Sequence, residues 1–572
     1  GRHARLCDAP GDGWRLTVYR AGFTTPAWFR TGVMYQIFPD RFARDSSATA
    51  QRGMEHHRRM GQTVHCHAGW DEPVEWQANT PEGEYAPVDF YGGTLRGIAD
   101  RLHYLQKLGV TVLYLNPIFE SASNHRYDTG DYRKVDPILG TNADFKKLCA
   151  AAADCGIRIV LDGVFAHTGA DSRYFNRFRH YPGCGAYNSH SSVYARWYSF
   201  AHYPDDYKCW WDFKDLPAVN AANPDWRKYM ITGERSIVKT WLRDGASGWR
   251  LDVADELPDD VLRGMRSAAK ETDPDSVLLG EVWEDAVTKV SYGERRQYAL
   301  GDALDSVMNY PLRDGLVTFL TGRSTAHALA DLLLSQRLNY PRPLYYALMN
   351  LTASHDVART RSALALDFDP RSRTRAELAA LEITDAMAAR GAQLQVLAAA
   401  VQFWLPGIPS IYYGDETGMQ GLCDPFNRAP LQMCDTQMLQ WYAQLTALRH
   451  AHPALTRGEV AVFAPAGDVL CVLRVIADGR DAFGEEAEDE ALLLIVNRAA
   501  HPVRCHVELT CPGAGLCEET RLAFVRSEYD CAADCTDDTH IAIHDGVGAF
   551  DLPPHAAKIY RLENRHGTET GS

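Results

Sequence analysis

Carboxylate, guanidinium and imidazole side chains follow four short apolar runs in this sequence of 572 residues. The four segments are Ile159–His167 (IVLDGVFAH), Gly248–Glu256 (GWRLDVADE), Leu278–Asp285 (LLGEVWED) and Ala353–Arg359 (ASHDVAR). If these runs are parallel strands of one barrel, their carboxyl ends meet at the same mouth. The charged side chains that follow them are therefore expected to share one site.

The spacing within these segments predicts a pair of acids with different protonation states. Arg250 and Asp252 are two residues apart, so they lie on the same side of a strand, and Arg250 favours the ionised form of Asp252. Glu281, close to another negative charge, would tend to keep its proton. One ionised and one protonated carboxyl group are what retaining glycoside hydrolysis requires. His167 and His355 are suited to hydrogen bonding with sugar hydroxyls.

Each of these residues also has an ordinary structural explanation when taken alone. An Asp at a strand end often caps a helix or forms a structural ion pair. A single histidine after a strand is commonly a hydrogen-bonded loop residue, and a single glutamate proves little. The combination of acids, histidines and arginine at four strand ends is what favours an active site.

The elements around these segments predict an α/β fold, a TIM (β/α)8 barrel. Eight short apolar segments alternate with helical patterns, as expected for parallel strands buried on both faces. The predicted strands are Val33–Phe38, Val112–Leu115, Ile157–Val164, Gly248–Val253, Val277–Val282, Leu304–Asn309, Tyr345–Leu351 and Ser410–Tyr413. Thr94 and Asn142 are predicted to begin two of the helices. The uncharged stretch Gly391–Gly414 contains two prolines, which favours a buried helix and strand over a membrane span.

The pattern along the chain predicts several regions. Residues 1–30 form an N-terminal segment, 31–455 the catalytic barrel, 456–563 a C-terminal antiparallel β domain, and 564–572 a tail. The longest insertions follow the first strand, at about 40–93, and the third strand, where about 168–225 is predicted to be an inserted domain. The acidic block Glu485–Glu490 is predicted to be a solvated loop.

The amino-acid composition limits which binding partners and which cellular compartment are expected for this chain. The net charge of −15 argues against nucleic-acid binding, because phosphates require a concentrated basic patch. The 14 cysteines show no zinc-like spacing and indicate mostly free thiols in a reducing compartment, although a local disulfide among the five between Cys505 and Cys535 is an alternative. No signal peptide is recognised, although the chain starts at Gly1 rather than Met. The chain is predicted to be cytoplasmic, with no membrane partner.

Further motifs resemble those of the α-amylase superfamily of glycoside hydrolases, over about residues 17–563. The best match is the branch of neopullulanases, cyclomaltodextrinases and maltogenic amylases. The motifs are LTVYRAGFTTPAWF (Leu16–Phe29), YQIFPDRF (Tyr35–Phe42), FYGGTLRGI (Phe90–Ile98), NHRYDTGDY (Asn124–Tyr132), WWDFKDLPAVN (Trp210–Asn220), DSVMNYP (Asp305–Pro311) and YYGDETGMQG (Tyr412–Gly421).

The resemblance implies a role for each candidate site residue. It implies three catalytic acids: Asp252 as nucleophile, Glu281 as general acid and then base, and Asp356 as the acid that holds sugar hydroxyls. Contacts to the sugar at the cleavage point are implied for Tyr127, His167, Arg250 and His355. Asp162 matches a structural acid, and Glu256 and Trp283 match positions that shape the acceptor side.

The activity implied by the resemblance is retaining hydrolysis of α-1,4-glucosidic bonds, with α-1,6 bonds as a second target. The implied substrates are maltooligosaccharides, cyclodextrins or pullulan, with transglycosylation alongside hydrolysis. A transglycosidase or isomerase acting on sucrose, trehalose or maltose is an alternative on the same scaffold. A non-catalytic barrel that binds α-glucans is the alternative from a different class; transporter-associated chains of that kind lack the three acids and carry a membrane helix.

Departures from the family pattern affect the expected metal and the expected assembly. The first motif commonly ends in Asn-His, and that Asn is a calcium ligand in many α-amylases, whereas here the position is Ala166. The loop after the DRF segment reads ARDSSATA (Ala43–Ala50) and is poor in oxygen ligands. No metal or other cofactor is therefore expected to be required. This branch also carries an N-terminal β domain that mediates dimerisation, and residues 1–30 are at most a remnant of it. A homodimer is the assembly that the resemblance implies.

Overall fold

Eight parallel strands form the centre of the computed structural model, which describes residues 16–81, 83–509, 522–530, 543–544 and 547–564. The strands are β1 Met34–Ile37, β2 Val112–Leu115, β3 Arg158–Gly163, β4 Gly248–Leu251, β5 Val277–Gly280, β6 Ser306–Val307, β7 Met349–Leu351 and β8 Ile408–Tyr412. They are ordered β6-β5-β4-β3-β2-β1-β8-β7. A parallel bridge between Met308 and Met349 joins the two edges of this sheet. The predicted TIM barrel is confirmed.

The register of the strands positions the charged side chains. Arg250 on β4 lies directly opposite Asp162 on β3, and residues two apart on a barrel strand point to the same side. The ladder continues past the strand ends, because Asp252 N donates to Gly163 O at 3.1 Å and Glu281 N donates to Leu251 O at 3.0 Å. Three acidic positions on neighbouring strands are thereby brought to the carboxyl end of the barrel.

Helices surround the barrel, and their ends follow capping rules. They are Ala27–Arg30, Thr49–Arg59, Leu95–Asp100, Leu102–Lys107, Asn142–Asp154, Pro224–Arg227, Ile237–Arg243, Asp259–Thr272, Tyr310–Leu320, Ala326–Asn339, Arg342–Tyr345, Thr360–Ala365, Arg375–Ala379, Asp385–Trp404, Thr436–Ala451 and Pro453–Arg457. Thr94 caps its helix as predicted, accepting from Gly97 N. The cap before Asn142 is Thr141, which forms a capping box with Asp144.

The uncharged stretch 391–414 is a buried helix followed by strand β8, as predicted. Gln402 is buried in that helix and donates to the carbonyl oxygens of Asn350 and Ser410, which ties the helix to β7 and β8. In the described part of the chain, no helix combines the length and apolar character needed to cross a membrane.

Eight further strands form two antiparallel sheets after the barrel. They are β9 Glu459–Ala466, β10 Val469–Ile476, β11 Glu490–Asn497, β12 Val503–Glu508, β13 Leu522–Asp530, β14 Ile543–His544, β15 Val547–Leu552 and β16 Ala556–Asn564. One sheet is ordered β9-β10-β11-β16-β13 and the other β12-β15-β14. Glu490 departs from the predicted solvated loop, because it begins β11 and accepts from His452 Nδ1 at 2.6 Å and Ala454 N at 2.9 Å.

The two long insertions have little regular structure. After β1, the helix Thr49–Arg59 is followed by two short paired strands, His65–Cys66 and Asp89–Phe90. After β3, the strands Phe200–His202 and Asp206–Tyr207 form a small antiparallel pair. Nine cysteines in the described residues, Cys505 among them, are free. Cys511, Cys517, Cys531 and Cys535 lie outside the described residues, and so does any disulfide between them.

Candidate active site

Arg250 joins carboxylates from three neighbouring strands. The guanidinium is fully buried. Its Nη1 donates to Asp162 Oδ1 at 2.8 Å and to Asp252 Oδ1 at 2.9 Å. Its Nη2 lies 2.9 Å from Glu281 Oε2. Two of the three candidate catalytic acids are thus held by adjacent nitrogens of one cation.

Glu281 is also held by two neutral donors. Trp283 Nε1 donates to Oε1 at 3.0 Å, and Val253 N donates to Oε2 at 2.7 Å. The Trp283 ring stacks on Tyr310, with ring centroids 3.9 Å apart. Val253 has φ of 36°, an uncommon left-handed conformation for a β-branched residue, which costs about 1–3 kcal/mol. This strained turn immediately follows Asp252 and directs its amide to the carboxylate of Glu281.

Asp356 completes the group of acids from the loop after β7. Tyr310 OH donates to Asp356 Oδ2 at 3.3 Å, and His355 Nε2 lies 3.3 Å from Oδ1. Its side chain is 26% exposed, against 10% for Asp252 and 6% for Glu281. Asp356 is therefore the acid that a ligand reaches most readily.

A buried chain of hydrogen bonds fixes His355 and Tyr127. The amide Nε2 of Gln36 donates to His355 Nδ1 at 2.9 Å, which places the imidazole proton on Nε2. This Nε2 is 2.5 Å from Tyr127 OH, which in turn donates to Asp162 Oδ2 at 2.7 Å. The Tyr127 and His355 rings are parallel, 5.3 Å apart. Asp162 accepts from Arg250 on one side, and it is therefore also oriented by Tyr127 and His355 from the opposite side of the barrel.

His167 presents a hydrogen-bond acceptor. Its Nε2 donates to Tyr127 O at 3.1 Å, while the buried Nδ1 has no hydrogen-bond partner among the described residues. Burial lowers the pKa of His167 to about 4, so the ring is neutral near neutral pH. A neutral Nδ1 can accept a hydrogen bond from a sugar hydroxyl.

Eight of the nine predicted site residues are connected by hydrogen bonds, ion pairs or ring contacts. They are Tyr127, His167, Arg250, Asp252, Glu281, Trp283, His355 and Asp356. Glu256 lies apart, in the short helical turn Ala254–Glu256 after β4, and accepts from Tyr292 OH at 2.6 Å. The structure thus separates a connected inner group from one outer carboxylate.

The electrostatics of the inner group favour retention of protons. Burial raises the pKa of Asp252 well above its usual value; Arg250 opposes this rise, and the charges of Glu281, Asp162 and Asp356 add to it. The sequence argument, in which Arg250 favours the ionised form of Asp252, is therefore incomplete, because it left out burial and the neighbouring acids. Burial and then Glu281 raise the pKa of Asp356 to about 7. Burial also raises the pKa of Asp162, so three neighbouring carboxyl groups, Asp162, Asp252 and Asp356, all have raised pKa values.

A model of the alpha-amylase catalytic domain matches residues 36–435. The chain belongs to the alpha-amylase family. An amylopullulanase of Thermoanaerobacterium thermosulfurigenes is 35% identical over 89% of this chain and 28% of its own length. A cyclomaltodextrinase of Geobacillus thermopakistaniensis is 32% identical over 83% of this chain and 70% of its own. The chain spans less than half the length of the amylopullulanases that it matches.

Solved structures of this family share the fold. The cyclic alpha-maltosyl-(1→6)-maltose hydrolase of Arthrobacter globiformis, in complex with cyclic alpha-maltosyl-(1→6)-maltose, matches with a TM-score of 0.68 and 27% identity. That match covers 94% of this chain and 100% of the other. The resemblance of the motifs to the alpha-amylase family is confirmed.

The residues present do not fit the family's calcium. Ala166 supplies no side-chain oxygen where the family commonly has Asn. In the loop Ala43–Ala50, the Asp45 carboxylate accepts from Ser47 N and Thr94 Oγ1. Arg44 donates to the carbonyl oxygens of His67, Ala68 and Tyr91. Among the described residues, no cluster of His, Cys, Asp and Glu side chains is suited to hold a metal ion.

Sequence reasoning missed uncharged residues that support the acids of this alpha-amylase family site. Tyr114 OH donates to Asp162 at 2.6 Å, and Asn116 Nδ2 donates to Tyr127 OH at 2.9 Å. Gln36 and Tyr310 were missed as well, although both lie within quoted family motifs. A search of strand ends for all hydrogen-bonding side chains, not only charged ones, would have found Asn116.

Asp356→Asn should gain stability relative to the parent as the pH rises from about 4 to about 7. The folded-state pKa of Asp356 is raised above its unfolded value, so the parent loses free energy of unfolding as the pH rises through this window. The amide does not titrate, so the difference in the free energy of unfolding should grow by on the order of 2 kcal/mol. Chemical denaturation of both proteins at the two ends of the window measures it.

Asp331→Asn, at an exposed position of helix Ala326–Asn339, is the control for neutralising a carboxylate. Its difference from the parent should stay constant over the same window. A constant difference for Asp356→Asn would contradict the raised pKa.

Proposed function

We propose that this chain is a retaining glycoside hydrolase that cleaves α-1,4-glucosidic bonds, with α-1,6 bonds as a second target. The observation that carries the proposal is the shared contact of Asp252 and Glu281 with adjacent nitrogens of Arg250. Maltooligosaccharides, cyclodextrins and pullulan are the proposed substrates. The names of the relatives, amylopullulanase and cyclomaltodextrinase, support this class.

Asp252 is the proposed nucleophile. Arg250 holds its Oδ1, so Oδ2 is the oxygen that attacks the anomeric carbon. In retaining glycosidases the nucleophile and the acid are about 5–5.5 Å apart, which leaves no room for a water molecule between carboxylate and sugar. With Asp252 in the nucleophile's role, the first product is a covalent glycosyl-enzyme. The bond from the anomeric carbon to Oδ2 forms as the glycosidic bond breaks. A second displacement at the same carbon restores the original configuration.

Glu281 is the proposed general acid and base. As the general acid, Glu281 must carry a proton when the glycosidic oxygen departs. After transfer, the Glu281 anion is stabilised by Trp283 Nε1, Val253 N and the Arg250 guanidinium. The same anion then removes a proton from the incoming water. Val253 and Trp283 thus support the state that Glu281 occupies between the two steps.

The remaining inner residues are proposed to bind the reacting sugar. Asp356, the most exposed of the three acids, accepts hydrogen bonds from sugar hydroxyls as the ring distorts. His167 Nδ1 accepts another hydroxyl, and His355 and Arg250 contact the same sugar. Tyr127 provides a flat surface for the ring.

The cellular location, the metal requirement and the partners are proposed from the cysteines, the Arg44 contacts and the net charge of the chain. We propose a cytoplasmic enzyme, since the nine described cysteines are free. We propose that it needs no metal, since the Arg44 guanidinium occupies carbonyl oxygens beside the loop at 43–50. The net charge of −15 supports the absence of a nucleic-acid partner. A homodimer stays a prediction.

Product analysis with maltotriose, a cyclodextrin, pullulan and sucrose tests the proposed substrate class. We expect turnover of the first three, and Asp252→Ala should lower kcat by about 10⁴-fold while the thermal unfolding transition remains. Asp331→Ala is the control and should retain the parent activity. Turnover of sucrose alone would overturn the substrate class. Activity of Asp252→Ala within about tenfold of the parent would remove the nucleophile assignment.

Glu281→Gln should separate the two halves of the reaction. Natural substrates need protonation of the leaving oxygen, so their turnover should fall by about 10²–10⁴-fold. α-Maltosyl fluoride has a leaving group that needs no proton, so its first step should be largely spared. Burst kinetics of fluoride release measure that step. An equal loss on both kinds of substrate would contradict the acid role.

A further inference from the structure

A fully buried histidine lies outside the inner site, in the insertion after β1. It is His57, on the helix Thr49–Arg59, and its side chain has no exposed surface. Its Nδ1 contacts Gln62 Oε1, and its Nε2 is 3.3 Å from Asp136 Oδ1. Because each ring nitrogen faces one polar atom, the two partners together determine how many protons the ring carries.

Both partners accept hydrogen bonds, so both ring nitrogens must donate. Gln62 Nε2 donates to Asp171 Oδ2 at 2.8 Å, and this contact turns the other end of the amide, Oε1, towards His57. An amide oxygen only accepts, and so does the ionised Asp136 carboxylate. With a proton on both Nδ1 and Nε2, His57 is an imidazolium cation in the folded protein.

The charges around His57 favour this state. Burial lowers the pKa of His57, but the charge of Asp136 and the hydrogen bonds to Asp136 and Gln62 raise it above its usual value, and Arg126 opposes them. Burial also acts against the Asp136 carboxylate, yet Arg126 and then His57 lower its pKa to about 2. Asp136 is therefore ionised near neutral pH, and two cations share it.

Further basic groups lie near His57. The pKa of its neighbour His56 is lowered by burial and then by His57, and the charges of Lys134 and Arg59 lower it further. His56 is therefore neutral near neutral pH and adds no second charge beside His57.

The network extends from His57 into two other loops. Through Gln62 it reaches the insertion after β3, where Asp171 Oδ2 is 2.9 Å from His180 Nδ1. Directly it reaches the segment that follows β2, which contains Asp136. His57 thus joins the loops that follow three neighbouring strands, all at the carboxyl end of the barrel.

Asp136 connects the imidazolium to the turn that presents Tyr127. Its Oδ2 is 3.2 Å from Arg126 Nε, and Arg126 immediately precedes Tyr127 in the chain. Arg126 is buried and has φ of 63°, a left-handed conformation that is uncommon outside glycine. Its Nη1 also donates to Asn124 O at 2.7 Å, within the same turn. The Arg126 guanidinium, held by Asp136, therefore stabilises the turn from which the Tyr127 ring reaches the inner site.

We propose that His57, as a buried imidazolium, is a positioning residue for Tyr127. Through Asp136 it holds the turn at Arg126, and with it the ring on which the reacting sugar stacks. This inference rests on the proposed function. Loss of one ring proton would leave Nδ1 or Nε2 facing an acceptor with no hydrogen between them. Asp136 would then be balanced by Arg126 alone, the turn would loosen, and substrate binding would weaken as the pH rises.

His57→Gln tests this role in steady-state kinetics with maltotriose. The new amide can still donate to Asp136, but it carries no charge and does not titrate. At about pH 6 the variant should raise KM about tenfold, which corresponds to about 1.4 kcal/mol, and change kcat by less than about threefold. The ratio of kcat/KM between parent and variant should fall towards 1 as the pH rises above about 6.5, because the parent then loses the His57 proton. The acids of the inner site titrate in both proteins, so their effects cancel in the ratio.

The free energy of unfolding reports the charge of His57 without any need for activity. Since the pKa of His57 is raised on folding, its proton stabilises the parent fully below about pH 6.5, and this contribution is lost as the pH rises through the raised value. The difference between parent and His57→Gln should therefore shrink from about pH 6 to about pH 9 in chemical denaturation. His103→Gln, at an exposed position of the helix Leu102–Lys107, is the matched control. Its differences from the parent in stability and in kcat/KM should stay constant.

Gln62→Met keeps the proposal testable if His57→Gln does not fold. It removes the acceptor of Nδ1, so a neutral His57 with its proton on Nε2 satisfies the remaining contact with Asp136. The alkaline rise in KM should therefore move to lower pH by about one unit. An unchanged pH dependence of KM in Gln62→Met would contradict the role of the second ring proton.

Three further results would overturn different parts of this account. A difference in stability between parent and His57→Gln that does not depend on pH contradicts the imidazolium. If that difference does depend on pH, but the ratio of kcat/KM does not, His57 is purely structural, so the positioning role is wrong and the proposed function stands. A parent that turns over none of the proposed substrates contradicts the proposed function itself, and the stability measurement still decides the charge of His57.

Discussion

A buried guanidinium balanced by several buried carboxylates is the interaction on which this site depends. Taking a carboxylate out of water costs several kcal/mol unless a cation or hydrogen bonds compensate it. Arg250 compensates Asp162, Asp252 and Glu281 at once, and it does so with no exposed surface of its own. Removal of any partner would leave the others buried with an altered charge. The positions of the two acids are therefore set jointly, not one by one.

The barrel supplies the precision that this arrangement needs. The register of β3 and β4 places Arg250 opposite Asp162, and the ladder beyond the strand ends fixes the backbone of Asp252 and Glu281. Neutral side chains then hold the charged ones in position by hydrogen bonds, as the Trp283 indole does for the Glu281 carboxylate. The loops beyond are free to differ in length and contacts, since the chemistry is anchored on the strands. This division separates the inner site, which lies on the strands, from the loops that surround it.

Much of this architecture could be predicted from the sequence, because it depends on local patterns. Buried parallel strands are short apolar runs, and a charged residue such as Asp252 at the end of one is conspicuous. Residues that act across the barrel carry no such local signal. Gln36 on β1 orients His355 after β7, and that contact spans 319 residues. The left-handed turn at Val253 could not be predicted from the sequence either, because a β-branched residue rarely adopts that conformation.

The protonation of the acids was predicted only in part, because the argument from the Arg250–Asp252 pair left out the effect of burial. Arg250 does contact Asp252, yet desolvation and three neighbouring acids outweigh it. The departure from the family motif at Ala166, in contrast, is a difference at a single position of the sequence. The structure shows in addition that Arg44 donates to backbone carbonyl oxygens beside the loop at 43–50. A single substitution in a motif can be recognised in the sequence. The combined effect of burial and several neighbouring charges on a pKa can be judged only from the three-dimensional structure.

Covalent trapping tests the central claim most directly. A ring-fluorinated α-maltosyl fluoride has a good leaving group, and its glycosyl-enzyme breaks down slowly because the fluorine destabilises positive charge at the reacting carbon. Mass spectrometry of the inactivated protein and its peptides then locates the bound sugar. We expect one maltosyl group per chain, on Asp252, in the parent and none in Asp252→Ala. A label on Glu281 or Asp356, or no label in a protein that turns over maltosyl fluoride, would contradict the account.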